Sequence, residues 1–124
     1  MYMMTTTIIK TAFRRGDVIL VLFPNSDLYT AKRRPALIIQ ADNLQTGLSQ
    51  YVVAMITSNL ARANHPSRVK VLYRDAKGKK SGLLTDSVVM TDNLATVAVS
   101  TIDRWIGTLS MTEVDSALKH TLGL

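Results

Sequence analysis

Between Gly16 and Leu109 the chain is a succession of short apolar or alternating runs, each bounded by turn-forming residues, and no stretch there shows helical spacing. Asp17 to Phe23 is a continuous apolar run stopped by Pro24-Asn25-Ser26-Asp27, which reads as a strand followed by a long loop reaching Arg33. Arg34 to Ala41 and Tyr51 to Ser58 read as the next two strands, with turn chemistry between them from Asp42-Asn43 to Gly47. Ser67 to Arg74 alternates, placing Val69, Val71 and Tyr73 on one side and Arg68, Lys70 and Arg74 on the other, as expected of a half-buried strand with a basic outer face. A basic glycine-bearing loop is expected at Lys77-Gly78-Lys79-Lys80, then strands over Ser87 to Thr96 and Arg104 to Leu109. Only after that does the period change to 3.6. Ser110-Met111-Thr112-Glu113 fits a capping box, and Met111, Val114, Leu118 and Leu122 form one stripe. Strands in series with one terminal helix, and no strand–helix alternation, imply a mainly β chain: a small antiparallel barrel carrying a C-terminal helix.

A chain of 124 residues is enough for one core, and residues 15 to 124 are expected to form a single domain behind a mobile leader, residues 1 to 14. The leader has no basic start, sustained apolar stretch or cleavage-like site, so it does not read as a secretory signal. No apolar run approaches a membrane span. Without cysteine there are no disulfides or thiolate metal sites, which suits a reducing cytoplasm. The net charge of +6 is unevenly spread: +4 over residues 1 to 35, −1 over 36 to 59, +6 over 60 to 80 and −3 over 81 to 124. Two separate segments carry the positive field, which either keeps the surface solvated or attracts a polyanion such as nucleic acid, anionic lipid or an acidic protein tail.

Arg33-Arg34-Pro35 runs straight into Ala36-Leu37-Ile38-Ile39, setting a permanent positive charge at the mouth of a buried strand. The following strand ends in Ile56-Thr57-Ser58, an apolar run closed by two hydroxyls. If the hairpin turns around Gln45-Thr46, Arg34 faces Thr57, with Cβ atoms about 5 Å apart. Singly, Arg34 suits a surface ion pair and Thr57 an ordinary strand; jointly, a guanidinium fork and a hydroxyl suit one phosphate. Asp92, by alternation on the face of Val88, Met90 and Leu94, must either meet a cation or sit at a bulge or bend, such as one formed with Asn93. His65 lies in a loop before Pro66, and His120 in the last helical turn, where an imidazolium suits the helix dipole.

Two distant histidines without cysteine, H-x-x-x-H or D-x-D spacing give no basis for a metal site. Phosphate-binding glycine loops and a nucleophile elbow are also missing from the sequence, so no cofactor is expected. Phosphate chemistry on RNA fits what remains, since the 2′-hydroxyl can attack its neighbouring phosphorus while the protein orients, stabilises charge and moves protons.

Gly16-Asp17-Val18, Arg33-Arg34-Pro35-Ala36-Leu37-Ile38-Ile39, Ile56-Thr57-Ser58, Gly82-Leu83-Leu84 with Ser87-Val88-Val89, Asp92-x-Leu94-x-Thr96 and Ile106-Gly107-Thr108-Leu109, in that order, resemble the MazF/PemK toxins over about residues 15 to 124. The resemblance implies an SH3-like barrel with a terminal helix, a homodimer, and sequence-specific endoribonuclease (mRNA interferase) action on single-stranded RNA. It also implies a cognate antitoxin whose acidic tail occupies the RNA groove. Carried over, the catalytic residues are Arg34 and Thr57, with Asp92 as a third candidate. The arginine that some members carry two positions before that Asp is Met90 here, Ala95 replaces another arginine, and no histidine precedes the Arg-Pro step. Tyr29, Lys32, Arg33, Ser58, Arg62, Lys77, Lys79 and Lys80 are the expected RNA contacts, Tyr29 by stacking on a base. Two alternatives stay open: a gyrase-poisoning toxin of the same barrel, which this chain fits poorly because its only tryptophan, Trp105, is not near the C-terminus, and an RNA-binding barrel without catalysis.

Overall fold

A computed structural model describes residues 12–24 and 27–124. Six strands form one antiparallel sheet: β1 Asp17–Pro24, β2 Ala31–Ile38, β3 Gln50–Thr57, β4 Arg68–Val71, β5 Ser87–Ala98 and β6 Ile102–Thr108. Their spatial order is β4-β5-β3-β2-β1-β6. Helix α1 spans Ala76–Ser81 between β4 and β5, and α2 spans Thr112–Leu122 after β6. The mainly β architecture with a terminal helix matches the sequence expectation.

The central strands read as unbroken apolar runs because both faces of the sheet are covered. On one face Val18, Leu37, Ala54, Ile56 and Val89 pack against Val114, Ala117 and Leu118 of α2. On the other, Ile19, Val21, Ala36, Ile38, Val53 and Met55 form a second cluster, flanked by Phe13, Tyr51 and Met90. Each aliphatic side chain taken fully from water contributes about 1.5–3 kcal/mol, so these two layers dominate stability. In α2 the expected stripe is buried at Val114 and Leu118, but Leu122 runs past the sheet and is half exposed.

The outer strands β4 and β6 do not pair with each other, and α1 spans the gap. Its C-terminal turn lies directly on β6: a Cβ at Gly107 would overlap the Lys80 carbonyl oxygen, and one at Gly82 would overlap the carbonyl of Ile106. Gly82, with φ +74°, also ends the helix in the left-handed conformation. The segment expected as a basic loop at Lys77–Lys80 is therefore helical. Its glycine and short length concealed it, and only packing on β6 and on the Leu72-Tyr73 segment after β4 makes six residues helical.

The expected capping box does not form. Met111 occupies the cap position without a side-chain hydrogen bond, and the Glu113 carboxylate instead accepts from Lys77 Nζ at 2.8 Å, tying α2 to α1. The end of the supposed mobile leader is fastened: the Phe13 N–H donates to the Tyr51 hydroxyl at 3.0 Å, and their rings meet edge-on at 5.6 Å. Arg14 N–H donates to Asp17 Oδ2 at 2.8 Å. The remainder of that leader, residues 1–11, and the Asn25-Ser26 part of the expected loop lie outside the described residues.

Strand alternation is interrupted in β6, where the pairing with β1 skips Ile106 and Asp103, and in β5. Ala54 pairs with Leu94 but Met55 pairs with Met90, so Thr91, Asp92 and Asn93 form a bulge. Thr91 turns inward, fully buried, and its hydroxyl donates to the Ser67 carbonyl. Asp92 turns outward, off the apolar face expected for it, and accepts from Arg68 Nε at 2.8 Å and Nη2 at 3.2 Å. Burial pushes the Asp92 carboxyl up, but the Arg68 hydrogen bond and charge, the residue's own backbone N–H and nearby His65 hold it below its ordinary value of 3.8.

Two outcomes follow from this packing. Gly107→Ala should destabilise the protein by about 2 kcal/mol or more through overpacking at the α1–β6 contact, read as a lower urea midpoint; an unchanged midpoint would refute the contact. A depressed folded pKa means stabilisation present above the unfolded value and lost as pH falls through the folded one. Asp92→Asn should therefore lower the thermal midpoint at pH 7, and the gap to wild type should close on acidification below 3.8. Equal midpoints at pH 7 would show that the Arg68 pair contributes nothing.

Candidate nucleic-acid interface

The site begins where two strands part. β2 and β3 pair at Ile38↔Val53, Leu37↔Ala54 and Ala36↔Met55, and the ladder ends there. The next residue, Pro35, has no N–H to donate. Beyond it β2 stays with β1 as far as Pro24↔Ala31, while β3 stays with β5 as far as Thr57↔Val88. The register is the one expected, and continued by two residues it sets Arg34 across from Thr57, now on the two lips of an opening.

That opening is a groove of about 770 Å³, lined by Arg34 and Pro35 on one side and Thr57 and Ser58 on the other. Gly82, Leu83 and Leu84 form one wall, and Leu20, Ile106 and Met55 supply apolar surface. Its charge is one-sided. Lys32, Arg33, Arg34 and Arg104 line it, with no carboxylate among the described lining residues. Cations held between low-dielectric walls focus a positive potential that draws polyanions.

The groove cations are not equivalent. Arg33 Nε donates to Asp103 Oδ2 at 2.9 Å, so part of its fork is committed. Arg34 is exposed and has no ion pair or hydrogen bond among the described residues, leaving its donor fork available to a ligand. Thr57 is half-buried and its oxygen accepts from the Asn59 N–H at 3.1 Å. This local turn fixes the hydroxyl and leaves its hydrogen to point at an acceptor. An unpaired guanidinium and an oriented hydroxyl on facing lips can bind a tetrahedral anion from two directions.

Of the residues singled out from sequence, Lys32, Arg33, Arg34, Thr57 and Ser58 come together in this groove. Asp92 does not line it; Asn93 of the same bulge does. Tyr29 stands outside the lining, 95% exposed on a turn where the Thr30 and Tyr29 N–H groups both donate to Asp27. Those bonds, the Thr30 backbone first, lower the Asp27 carboxyl pKa. Arg62 lies in an exposed turn, Lys77 is engaged by Glu113, and Lys79 and Lys80 project from α1; none of these lines the groove. Trp105 is half exposed, its Nε1 donating to the buried Asp17 at 3.2 Å. Arg104, Asn93 and Leu84 were missed. For Arg104 the available signal was a charge at the start of a strand, which periodicity cannot assign to a particular cleft.

Among the described residues, no group of three or more His, Cys, Asp or Glu side chains is placed to hold a metal ion, and no helix is long and apolar enough to cross a membrane.

Comparison with known proteins matches residues 14–122 to the PemK-like, MazF-like toxins of type II toxin-antitoxin systems. An endoribonuclease MazF from Staphylococcus epidermidis is 34% identical over 115 residues, which cover 90% of this chain and 92% of that protein. Among solved structures, an endoribonuclease in complex with its cognate antitoxin from Mycobacterial species aligns with a TM-score of 0.68 at 23% identity, covering 91% of this chain and 97% of that one. The Mycobacterium tuberculosis toxin MazF-mt6 aligns at 0.63 and 25% identity, covering 86% and 97%. With sequence and fold agreeing over nearly the whole length, this chain belongs to the PemK-like, MazF-like toxins of type II toxin-antitoxin systems.

Proposed function

We propose that this chain is a sequence-specific endoribonuclease, the toxin of a toxin-antitoxin pair, which cuts single-stranded RNA in the cytoplasm through the RNA's own 2′-hydroxyl. The observation that carries the reading is the placement of uncommitted Arg34 opposite Thr57 on the lips of a cationic groove with no carboxylate among its described lining residues. The Staphylococcus epidermidis relative bears the name of that activity, which favours cleavage over gyrase poisoning or simple RNA binding. A homodimer, restrained by an antitoxin whose acidic tail enters the groove, belongs to the same proposal; the mycobacterial neighbour was solved with its cognate antitoxin.

In the proposed reaction the 2′-hydroxyl gives up its proton and attacks the adjacent phosphorus. The 5′-oxygen then leaves and takes up a proton, yielding a 2′,3′-cyclic phosphate and a 5′-hydroxyl. Arg34 acts on the charge that grows on the non-bridging oxygens, and Thr57 donates to one of them. An ordinary arginine is a poor acid near neutral pH, so its contribution is charge stabilisation and orientation. Lys32, Arg33 and Ser58 follow the backbone on either side. Asp92, occupied by Arg68 outside the groove, serves by setting the bulge that carries Asn93.

Arg34→Ala should lower the cleavage rate on single-stranded RNA about 10²- to 10³-fold, the scale for removing one preorganised charge donor. Thr57→Val, which keeps the shape, should cost about 10- to 100-fold. Undiminished cleavage by Arg34→Ala would end the assignment. A substrate with a 2′-deoxy sugar at the scissile position should resist in the presence of EDTA; if it is cut, the 2′-hydroxyl route is wrong.

A further inference from the structure

Arg104 stands apart from the Arg34 and Thr57 pair. It lies in β6 and pairs with Leu20 of β1, and Leu20 pairs on its other side with Pro35 of β2. One row across the sheet therefore reads Arg104, Leu20, Pro35, and two interstrand spacings, about 10 Å, separate its ends. Both ends line the groove, with Leu20 and Ile106 giving it an apolar floor.

Asp103 organises this side. Its Oδ2 accepts from Arg33 Nε at 2.9 Å and lies 3.9 Å from Arg104 Nε, so one carboxylate sits between two guanidiniums. The longer separation is an electrostatic tether rather than a hydrogen bond. Arg104 keeps 68% of its side chain exposed, so its donors stay open to a ligand. Asp103 does not itself line the groove, and one carboxylate offsets only part of the charge of two guanidiniums.

We infer that Arg104 holds a second backbone phosphate of the RNA, flanking the linkage gripped by Arg34 and Thr57, on the β6 side of the groove. The identity of the ligand rests on the ribonuclease reading; the anion site itself rests on the geometry. Single-stranded RNA presents charge, flat apolar base and charge again along its length. In the groove Arg34 adjoins Pro35, and from Pro35 the row crosses Leu20 to reach Arg104. A run of Asp and Glu alone supplies the charges but no flat apolar group for the floor between them. Arg104 is thus a substrate-positioning contact: it acts on binding and register, and the reacting phosphorus belongs to Arg34 and Thr57.

The test uses the full chain, a single-stranded RNA whose cut position is mapped from fragment ends, and 2′-O-methyl copies of that RNA each carrying one neutral methylphosphonate linkage. Arg104→Gln should raise KM and the dissociation constant for the uncut copies about tenfold, with the loss falling on KM rather than kcat. The slope of log affinity against log salt should become shallower by about 0.7, the value for one contact to a single strand. One methylphosphonate beside the cut should weaken wild type by the same factor and Arg104→Gln no further. Arg104→Lys, which keeps a charge, should retain the wild-type salt slope, and it keeps the test open if the Gln variant melts early. Wild-type affinity and slope in Arg104→Gln would overturn the proposal, as would methylphosphonate losses identical in both proteins at every position. So would loss of polyglutamate binding with RNA binding intact, or a changed oligomeric mass without a linkage-specific loss. If wild type binds the copies with this pattern yet cuts no RNA, the phosphate site stands and the ribonuclease reading falls.

Discussion

The end of the β2–β3 ladder at Ala36↔Met55 is the constraint on which the molecule's chemistry depends. Up to that pair the two strands are held by backbone hydrogen bonds and by side chains buried on both faces. After it each strand keeps its other neighbour and loses this one, so the sheet divides into a β6-β1-β2 flap and a β4-β5-β3 flap. Pro35 stands at the fork and offers no donor for a further rung. A continuous ladder would have sealed the surface; a fork leaves a cleft whose lips are strand ends, rigid below and open above. Groups placed there are positioned by the sheet without being buried by it.

Energetics explain why those groups are available. Stability comes from two aliphatic layers in which Val18, Ile19, Leu37, Ile38 and Val53 are fully buried. The exposed ion pairs, among them Arg33 with Asp103 and Lys77 with Glu113, are worth about 0–1 kcal/mol each. A chain held together mainly by its aliphatic core can leave Arg34 unpaired at little structural cost. The buried polar groups, in contrast, are engaged: Thr91 bonds to the Ser67 carbonyl and Thr121, and Asp17 takes the Arg14 N–H. Arg34 thus stands uncommitted in the groove, while Arg33 and Arg104 share the Asp103 carboxylate.

Much of this was legible in the residues, and the failures have definite causes. Continuous apolar runs and turn residues located β1, β3 and β5, and the hairpin register placed Arg34 against Thr57, because period and turn chemistry are local properties. The 3.6 period located α2. Helix α1 was not legible, since six residues with an internal glycine carry too little pattern and the contacts that hold it come from β6. Asp92 was misdirected by counting alternation through a bulge that only the pairing of Met90 and Leu94 with β3 reveals. Tyr29, Arg62, Lys79 and Lys80 were chosen by residue type, and type cannot say which way a turn or helix faces. Arg104 was passed over for the converse reason: its role arises from the β1–β6 pairing, which joins residues far apart in the chain.

The contact of α1 with β6 has a further consequence. It joins main chain to main chain at Gly82 and Gly107, with the Ile106 side chain close beside Gly82. The Gly82-Leu83-Leu84 wall and the Arg104–Ile106 segment of the groove both hang from that seam. Cleft width and fold stability are therefore one mechanical variable: a change that spreads the seam to admit a bulkier strand also loosens the element that bridges the outer strands. Variation in what the groove accepts is easier to obtain from the side chains on its lips than from its span.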